Sequence, residues 1–118
     1  MGIGIDIVSV SKIEKIIDRW GDLFLKRVYS ANELKIARKI RQPYQFFAGR
    51  FAAKEALVKA LGKDVRGMRL TQLEVLKRGD GSPFFSDTLN CIKGRQVSLS
   101  ISHNDDFAVS VCLVQQDV

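Results

Sequence analysis

The stretch Phe47-Ala-Gly-Arg-Phe-Ala-Ala-Lys-Glu-Ala-Leu-Val-Lys-Ala-Leu61 is rich in Ala, Leu and Lys and has no helix breaker after Gly49. It predicts a helix that Gly62 stops, as a left-handed cap residue would. At 100° per residue, Ala48, Ala52, Glu55 and Lys59 fall within about 60° of one another, with Phe47, Phe51 and Val58 as a separate apolar stripe beside them. The small alanines admit another chain segment, and Glu55 and Lys59 protrude one turn apart beside that close approach. An ordinary i,i+4 surface pair of this kind contributes about 0.3–0.5 kcal/mol and no function. The alternative is a place that holds a cation and an anion together, and the rest of the chain decides between them.

On the N-terminal side, Gly2 to Val8 alternates. Ile3, Ile5 and Ile7 take one face; Gly2, Gly4, Asp6 and Val8 take the other. This predicts a strand with Asp6 among glycines, where the backbone is bare and a ligand or helix can come near. Ser11 with Glu14 predicts a capping box for a helix carrying Ile13, Ile16, Ile17 and Trp20 and ended by Gly21. A short helical turn is expected over Asp22 to Val28. Ser30 with Glu33 predicts a second capping box and a helix through Leu34, Ile36, Ala37 and Ile40, separated from the central helix by Pro43.

Beyond Gly62, residues 63–68 read as a loop, and a strand is expected from Leu73 or Leu70 to Arg78. Gly79-Asp80-Gly81-Ser82-Pro83 is a strong turn signal, with Phe84 and Phe85 returning as a short strand. A brief helix is expected over residues 87–93, ended by Gly94. Val97, Leu99 and Ile101 alternate with Ser98, Ser100 and Ser102, and Ala108 to Val114 returns as a strand, so His103 stands at a hairpin tip. The sum is an α+β domain spanning residues 1–118, a small antiparallel sheet packed against several helices.

Nineteen Lys and Arg against thirteen Asp and Glu give a formal charge of +6, which favours anionic partners: nucleic acid, phosphorylated small molecules or an acidic protein. Cys91 and Cys112 show no Cys-x-x-Cys spacing and read as reduced core thiols. No apolar run approaches the length of a membrane span, and no basic leader precedes a hydrophobic segment, so a soluble cytoplasmic protein is expected. Asp6, Glu55, Lys54, Lys59 and the single histidine form one candidate constellation. Two carboxylates are a partial magnesium shell, to be completed by water and substrate phosphates, and lysines would hold the remaining phosphate charge.

Three segments together, Gly2-Ile-Gly-Ile-Asp-Ile-Val8, Gly49-Arg-Phe-Ala-Ala-Lys-Glu-Ala56 with Lys59-Ala-Leu-Gly62, and Ser100-Ile-Ser-His103, resemble the holo-acyl carrier protein synthases in order, separation and chain length. Gly81-Ser82-Pro83 also looks like that family's Gly-x-Pro turn. The resemblance implies transfer of the 4'-phosphopantetheine arm from coenzyme A to a serine of apo-acyl carrier protein, in support of fatty acid biosynthesis. By position it implies Asp6 and Glu55 as magnesium ligands and Lys59 on the diphosphate, with Arg50, Lys54 and His103 around the nucleotide and phosphates. It implies a homotrimer with sites between subunits. It gives the basic helix face of Lys12, Lys15 and Arg19 a purpose, the docking of an acidic carrier protein. Two positions depart from the family: Lys12 stands where Arg is usual, and Val58 where serine is common.

Two other classes compete. A ribonuclease-H-like nuclease also presents a metal-binding aspartate from a first strand, but it needs more chain and a further acidic ligand late in it, and Asp105 and Asp106 lie in a loop too near the end to be followed by the usual helix. A nucleic-acid-binding module would interleave exposed aromatics with Lys and Arg. Here core packing accounts for Phe84, Phe85 and Trp20, so neither nucleic acid nor membrane is expected as a partner.

Overall fold

In the computed structural model, residues 1–62, 68–86, 92 and 94–116 are described. The chain opens with β1 (Gly2–Ser9), followed by four helices: α1 (Val10–Trp20), α2 (Asp22–Val28), α3 (Ala31–Ala37) and α4 (Tyr44–Leu61). A 3-10 turn (Leu70–Gln72) leads to the hairpin β2 (Val75–Lys77) and β3 (Pro83–Phe85). The chain closes with β4 (Arg95–His103) and β5 (Phe107–Gln116). The main sheet is antiparallel in the order β1-β5-β4, and β2-β3 is a separate two-stranded sheet. The expected helices over residues 47–61, 22–28 and from Ser30, the turn over Gly79 to Pro83, and both hairpins are all present. The expected loop at residues 63–67, the brief helix at 87–93 and Cys91 lie outside the described residues, apart from Ile92.

α4 is the centre of the fold because it is apolar almost all round, and a helix of that kind is stable only when enclosed. Both buried clusters include it: Ala53, Ala56, Leu57 and Leu61 pack with Leu73, Val75, Phe85 and Cys112, while Phe47 and Ala48 pack with Val10, Ile13, Val28, Tyr29 and Ala108. The helix starts three residues earlier than expected, since Pro43 caps it and its carbonyl accepts from the Phe47 N–H at 2.9 Å. It stops at Gly62, whose φ of 61° disfavours side chains.

β1 lies against α4 so closely that a Cβ on Gly4 would sit 1.9 Å from the Ala56 carbonyl oxygen, and one on Gly2 2.0 Å from that of Ala60. The two glycines are therefore required by contact with the helix backbone. The alternation in β1 thus separates a helix-facing side from a side that meets no core. Ile3, Ile5 and Ile7 are 69, 61 and 63% exposed. The register sets them in rows with Leu113, Val111 and Val109 of β5 and with Ser98, Ser100 and Ser102 of β4, so the outer face of the sheet is an uncovered apolar strip edged by serines.

Three local expectations are corrected. α1 is capped by Ser9, whose hydroxyl accepts from the Lys12 N–H at 3.3 Å, and not by a Ser11–Glu14 box. The chain passes straight from strand to helix, and the Val10 N–H is held by the Asp106 carbonyl at 2.9 Å. α3 ends at Ala37, short of Ile40. Trp20 is 51% exposed and is not core: the inner stripe of α1 is supplied by Val10, Ile13 and half-buried Ile17, which leaves Ile16 and Trp20 facing outward.

Candidate active site

At the β1 edge of α4, three residues of the sequence constellation meet. The Lys59 ammonium donates to Asp6 Oδ1 at 3.1 Å and to the Ile5 carbonyl at 2.9 Å. β1 is an edge strand, so this carbonyl is open to a side chain. Asp6 is the first residue after Gly4 on the helix-facing side, where the strand backbone is pressed against the helix and its carboxylate must emerge beside Glu55. Burial pushes the Glu55 carboxyl above the ordinary range, the Asp6 carboxylate pushes it further, and Lys59 opposes both. Two carboxylates in repulsion beside a half-exposed lysine are donors that a hard cation could take. Magnesium fits that donor set, since it takes one or two carboxylates and fills its remaining positions with water and phosphate oxygens. Among the described residues no third His, Cys, Asp or Glu joins the pair.

Lys54 does not join this group, which corrects its expected place beside the phosphates. It is fully buried, and its three N–H donors are taken by Glu33 Oε1 at 2.6 Å and by the carbonyls of Val28 at 2.6 Å and Leu70 at 3.0 Å. Glu33 is equally buried. Its Oε1 also accepts from the Ser30 N–H and its Oε2 from the Val75 N–H at 3.0 Å. The capping box read from Ser30 and Glu33 is real, but the same glutamate also binds α3, α4 and β2 into one frame. Burial draws the Lys54 ammonium below the ordinary lysine range, and Glu33 pulls it back. The sequence signal for this role was available only as a local cap.

Arg50 and His103 lie on the other flank of α4. Arg50 is about 140° around the helix from Glu55, and its side chain lines a recess of about 220 Å³ with Phe46, Lys77 and His103. The guanidinium carbon stands 4.3 Å over the Phe46 ring. Burial lowers the basicity of Arg50, and Glu33 partly restores it. His103 ends β4 opposite Ala108 of β5, as the hairpin reading requires. Asp6 faces Ser110 on the far side of β5. One strand and the buried helix therefore separate the Asp6–Glu55–Lys59 group from the Arg50–His103 group, so the single constellation of the sequence becomes two half-sites.

A profile of the 4'-phosphopantetheinyl transferase superfamily matches residues 2–112. The chain belongs to this superfamily. The transferase is 39% identical to the holo-[acyl-carrier-protein] synthase of Clostridium tetani, with 98% of this chain and 95% of that protein covered. It is 36% identical to that of Chloroherpeton thalassium, with 99% of each covered. Among solved structures, it superposes with a TM-score of 0.83 on the Bacillus anthracis holo-(acyl-carrier-protein) synthase in complex with CoA (3',5'-ADP), at 35% identity over 99% of this chain and 96% of that one. The Neisseria meningitidis synthase gives a TM-score of 0.86 at 31% identity, covering 98% of each chain.

On the outer side of the transferase, Lys12, Lys15 and Arg19 are all exposed along α1. Arg19 stands 5.1 Å over the Trp20 ring, and Ile16, Trp20, Leu23, Phe24 and Arg27 line a shallow apolar depression beside them. The sequence reading found the cations and missed this apolar centre, because Ile16 and Trp20 share the spacing of a core stripe. Cys112 is buried in the main cluster, as expected. Among the described residues no helix is long and apolar enough to cross a membrane.

Proposed function

We propose that this chain transfers the 4'-phosphopantetheine arm of coenzyme A to a serine hydroxyl of apo-acyl carrier protein, releasing adenosine 3',5'-bisphosphate. The observation that carries this reading is the meeting of Asp6 with Lys59, 53 positions apart, beside the charge-frustrated Glu55. Asp6 and Glu55 would hold magnesium. When bound, the metal supplies charge neutralisation and Lewis acidity at the diphosphate. In the reaction the serine oxygen bonds to the phosphorus that carries pantetheine, and the bond from that phosphorus to the bridging oxygen breaks. The electron pair leaves with the bisphosphate. Lys59, already directed at this edge, meets the charge that develops on the leaving oxygen. The serine proton departs toward the carboxylates at the same edge. Arg50 and His103 hold the nucleotide end, and Lys54 acts by fixing the helix that carries Arg50, Glu55 and Lys59.

The separation of the two half-sites favours a homotrimer in which each site takes Asp6, Glu55 and Lys59 from one copy and Arg50 and His103 from its neighbour. A single sugar separates the diphosphate of coenzyme A from its terminal phosphate, too short a span to reach around a helix about 10 Å across. The uncovered isoleucine strip of β1 supports the same assembly, because apolar surface of that extent is ordinarily covered. The face of Lys12, Lys15 and Arg19, with Trp20 at its apolar centre, suits an acidic carrier protein. A buried reduced thiol at Cys112 suits the cytoplasm, and the activity would supply carriers for fatty acid biosynthesis as one transferase domain.

Intact-mass spectrometry of apo-acyl carrier protein incubated with the protein, coenzyme A and magnesium tests the reading. One added phosphopantetheine is expected, and none with a chelator or with Glu55→Ala. No gain in mass across several carriers and divalent metals would sink it. Mixing inactive Glu55→Ala with inactive Arg50→Gln tests the shared site, because random exchange in a trimer restores about a quarter of wild-type activity. Absence of any recovery would assign both half-sites to one chain.

A further inference from the structure

Lys59 is held at the β1 edge by two consecutive residues of one strand. Its ammonium donates to the Asp6 carboxylate and to the Ile5 carbonyl, and the Lys59 and Asp6 side chains are 53% and 19% exposed. An ion pair this open contributes little to the fold, so stability does not account for it. Its electrostatic position does. Asp6 and Glu55 repel each other, and Lys59 offsets that repulsion. The ammonium thus does for the two carboxylates what a metal ion would do, and it does so on a carboxylate of the metal's own donor set. Asp6, Glu55 and Lys59 all stand on one chain, so this arrangement is complete within a single copy.

We propose that Lys59 is the built-in counter-ion of the Asp6–Glu55 pair: a bare divalent cation has to displace it, whereas a cation arriving with a diphosphate gives the ammonium a new anion to move to. This rests on the transferase reading, which already gives Lys59 the charge on the leaving oxygen. A divalent ion and an ammonium repel each other on one carboxylate, and even with water screening them that repulsion lowers cation affinity about tenfold. A diphosphate reverses the balance, because the ammonium then trades one anion for another. The neutral Ile5 carbonyl keeps Lys59 at the edge while its charged contact is exchanged. Lysine suits such an exchange, being a point charge on a flexible stem that needs no fixed geometry. Metal and diphosphate therefore favour each other's binding through Lys59, and that coupling is reciprocal.

Manganese is the probe, since it takes the oxygen donors that magnesium takes and its free ion is counted by electron paramagnetic resonance. Titrated without coenzyme A, Lys59→Met is expected to bind manganese about tenfold more tightly than the wild type. Lys59→Arg, which keeps the charge, should stay near wild type. With coenzyme A added, the wild type should gain more manganese affinity than Lys59→Met does, because only the wild type has an ammonium to hand over. A lysine that merely props the carboxylates in place predicts the opposite sign, weaker binding in Lys59→Met. Equal or weaker manganese binding in Lys59→Met, undetectable binding in both proteins included, overturns the proposal; metal-dependent transfer by the wild type then leaves the transferase reading standing. Manganese affinity that survives both Asp6→Ala and Glu55→Ala removes the metal assignment itself, and the role of Lys59 with it.

Discussion

Lys54 and Lys59 stand five residues apart on one helix and in one sequence motif, and the fold uses them in opposite ways. Lys54 is fully buried with three acceptors on its ammonium. The Lys59 side chain is 53% exposed and leans on one carboxylate and one edge-strand carbonyl. The first lysine fixes the rotation of α4; the second is displayed because that rotation is fixed. A motif therefore joins frame and chemistry within a few residues, and a side chain's place in it does not say which of the two it serves.

The contrast breaks most visibly at Lys54. Lys54→Ala leaves Glu33 charged and buried without its partner, and removing one member of such a pair costs about 3–5 kcal/mol. Chemical denaturation should show that loss together with loss of all ligand binding; a variant as stable as wild type would mean that the pair contributes nothing to the frame. At Lys59 the expected effect is of similar size but of another kind. Lys59→Ala should lower the turnover rate about 10²–10³-fold, as for a lost transition-state donor, with an unchanged denaturation midpoint. A parallel fall in stability would make Lys59 a frame residue as well.

A smaller effect separates cations that are merely displayed from both of these. Reversing Lys12, Lys15 and Arg19 to Glu should weaken carrier protein affinity at low salt and hardly at all at high salt, because exposed charges are screened. Trp20→Ala should weaken it at both. If neither change moved carrier affinity, the docking face would lie elsewhere on the molecule.

The smallest effect concerns Cys112, buried beside α4, whose thiol burial pushes up to about 11 from 9.0. The raised value means that the native state keeps its proton while the unfolded chain loses it. Stability is therefore unaffected by this group below pH 9 and declines as pH climbs toward 11. In a Cys91→Ser background, Cys112→Ala should flatten that part of the stability curve. A thiol that reacts with alkylating agents in the native protein at neutral pH would contradict the burial.

Most of the local structure was legible in the residues, and the site only as a candidate group. Glycine at positions 2 and 4, alternation in β1, alanines in α4 and the Ser-Ile-Ser-His run needed no tertiary knowledge, because strand pleat and helix pitch follow from the backbone alone. Asp6, Glu55 and Lys59 could be named as one candidate group, but strand phase and helix phase alone did not show that they meet; the Asp6–Lys59 contact belongs to the docking of β1 on α4. Other matters only the packing of distant segments decided. Glu33 reads as a cap until α4 and β2 arrive to use its remaining oxygens. Trp20 reads as core until the packing of α1 through Val10, Ile13 and Ile17 leaves it on the outer face. Lys77 and Arg50 share no periodicity, and only the docking of the β2–β3 hairpin beside α4 brings them to one recess. Most tellingly, Asp6 and His103 belong to one motif set yet lie on opposite flanks of a buried helix. Helical phase alone could not reveal that division, since it depends on which strand of the sheet each flank meets.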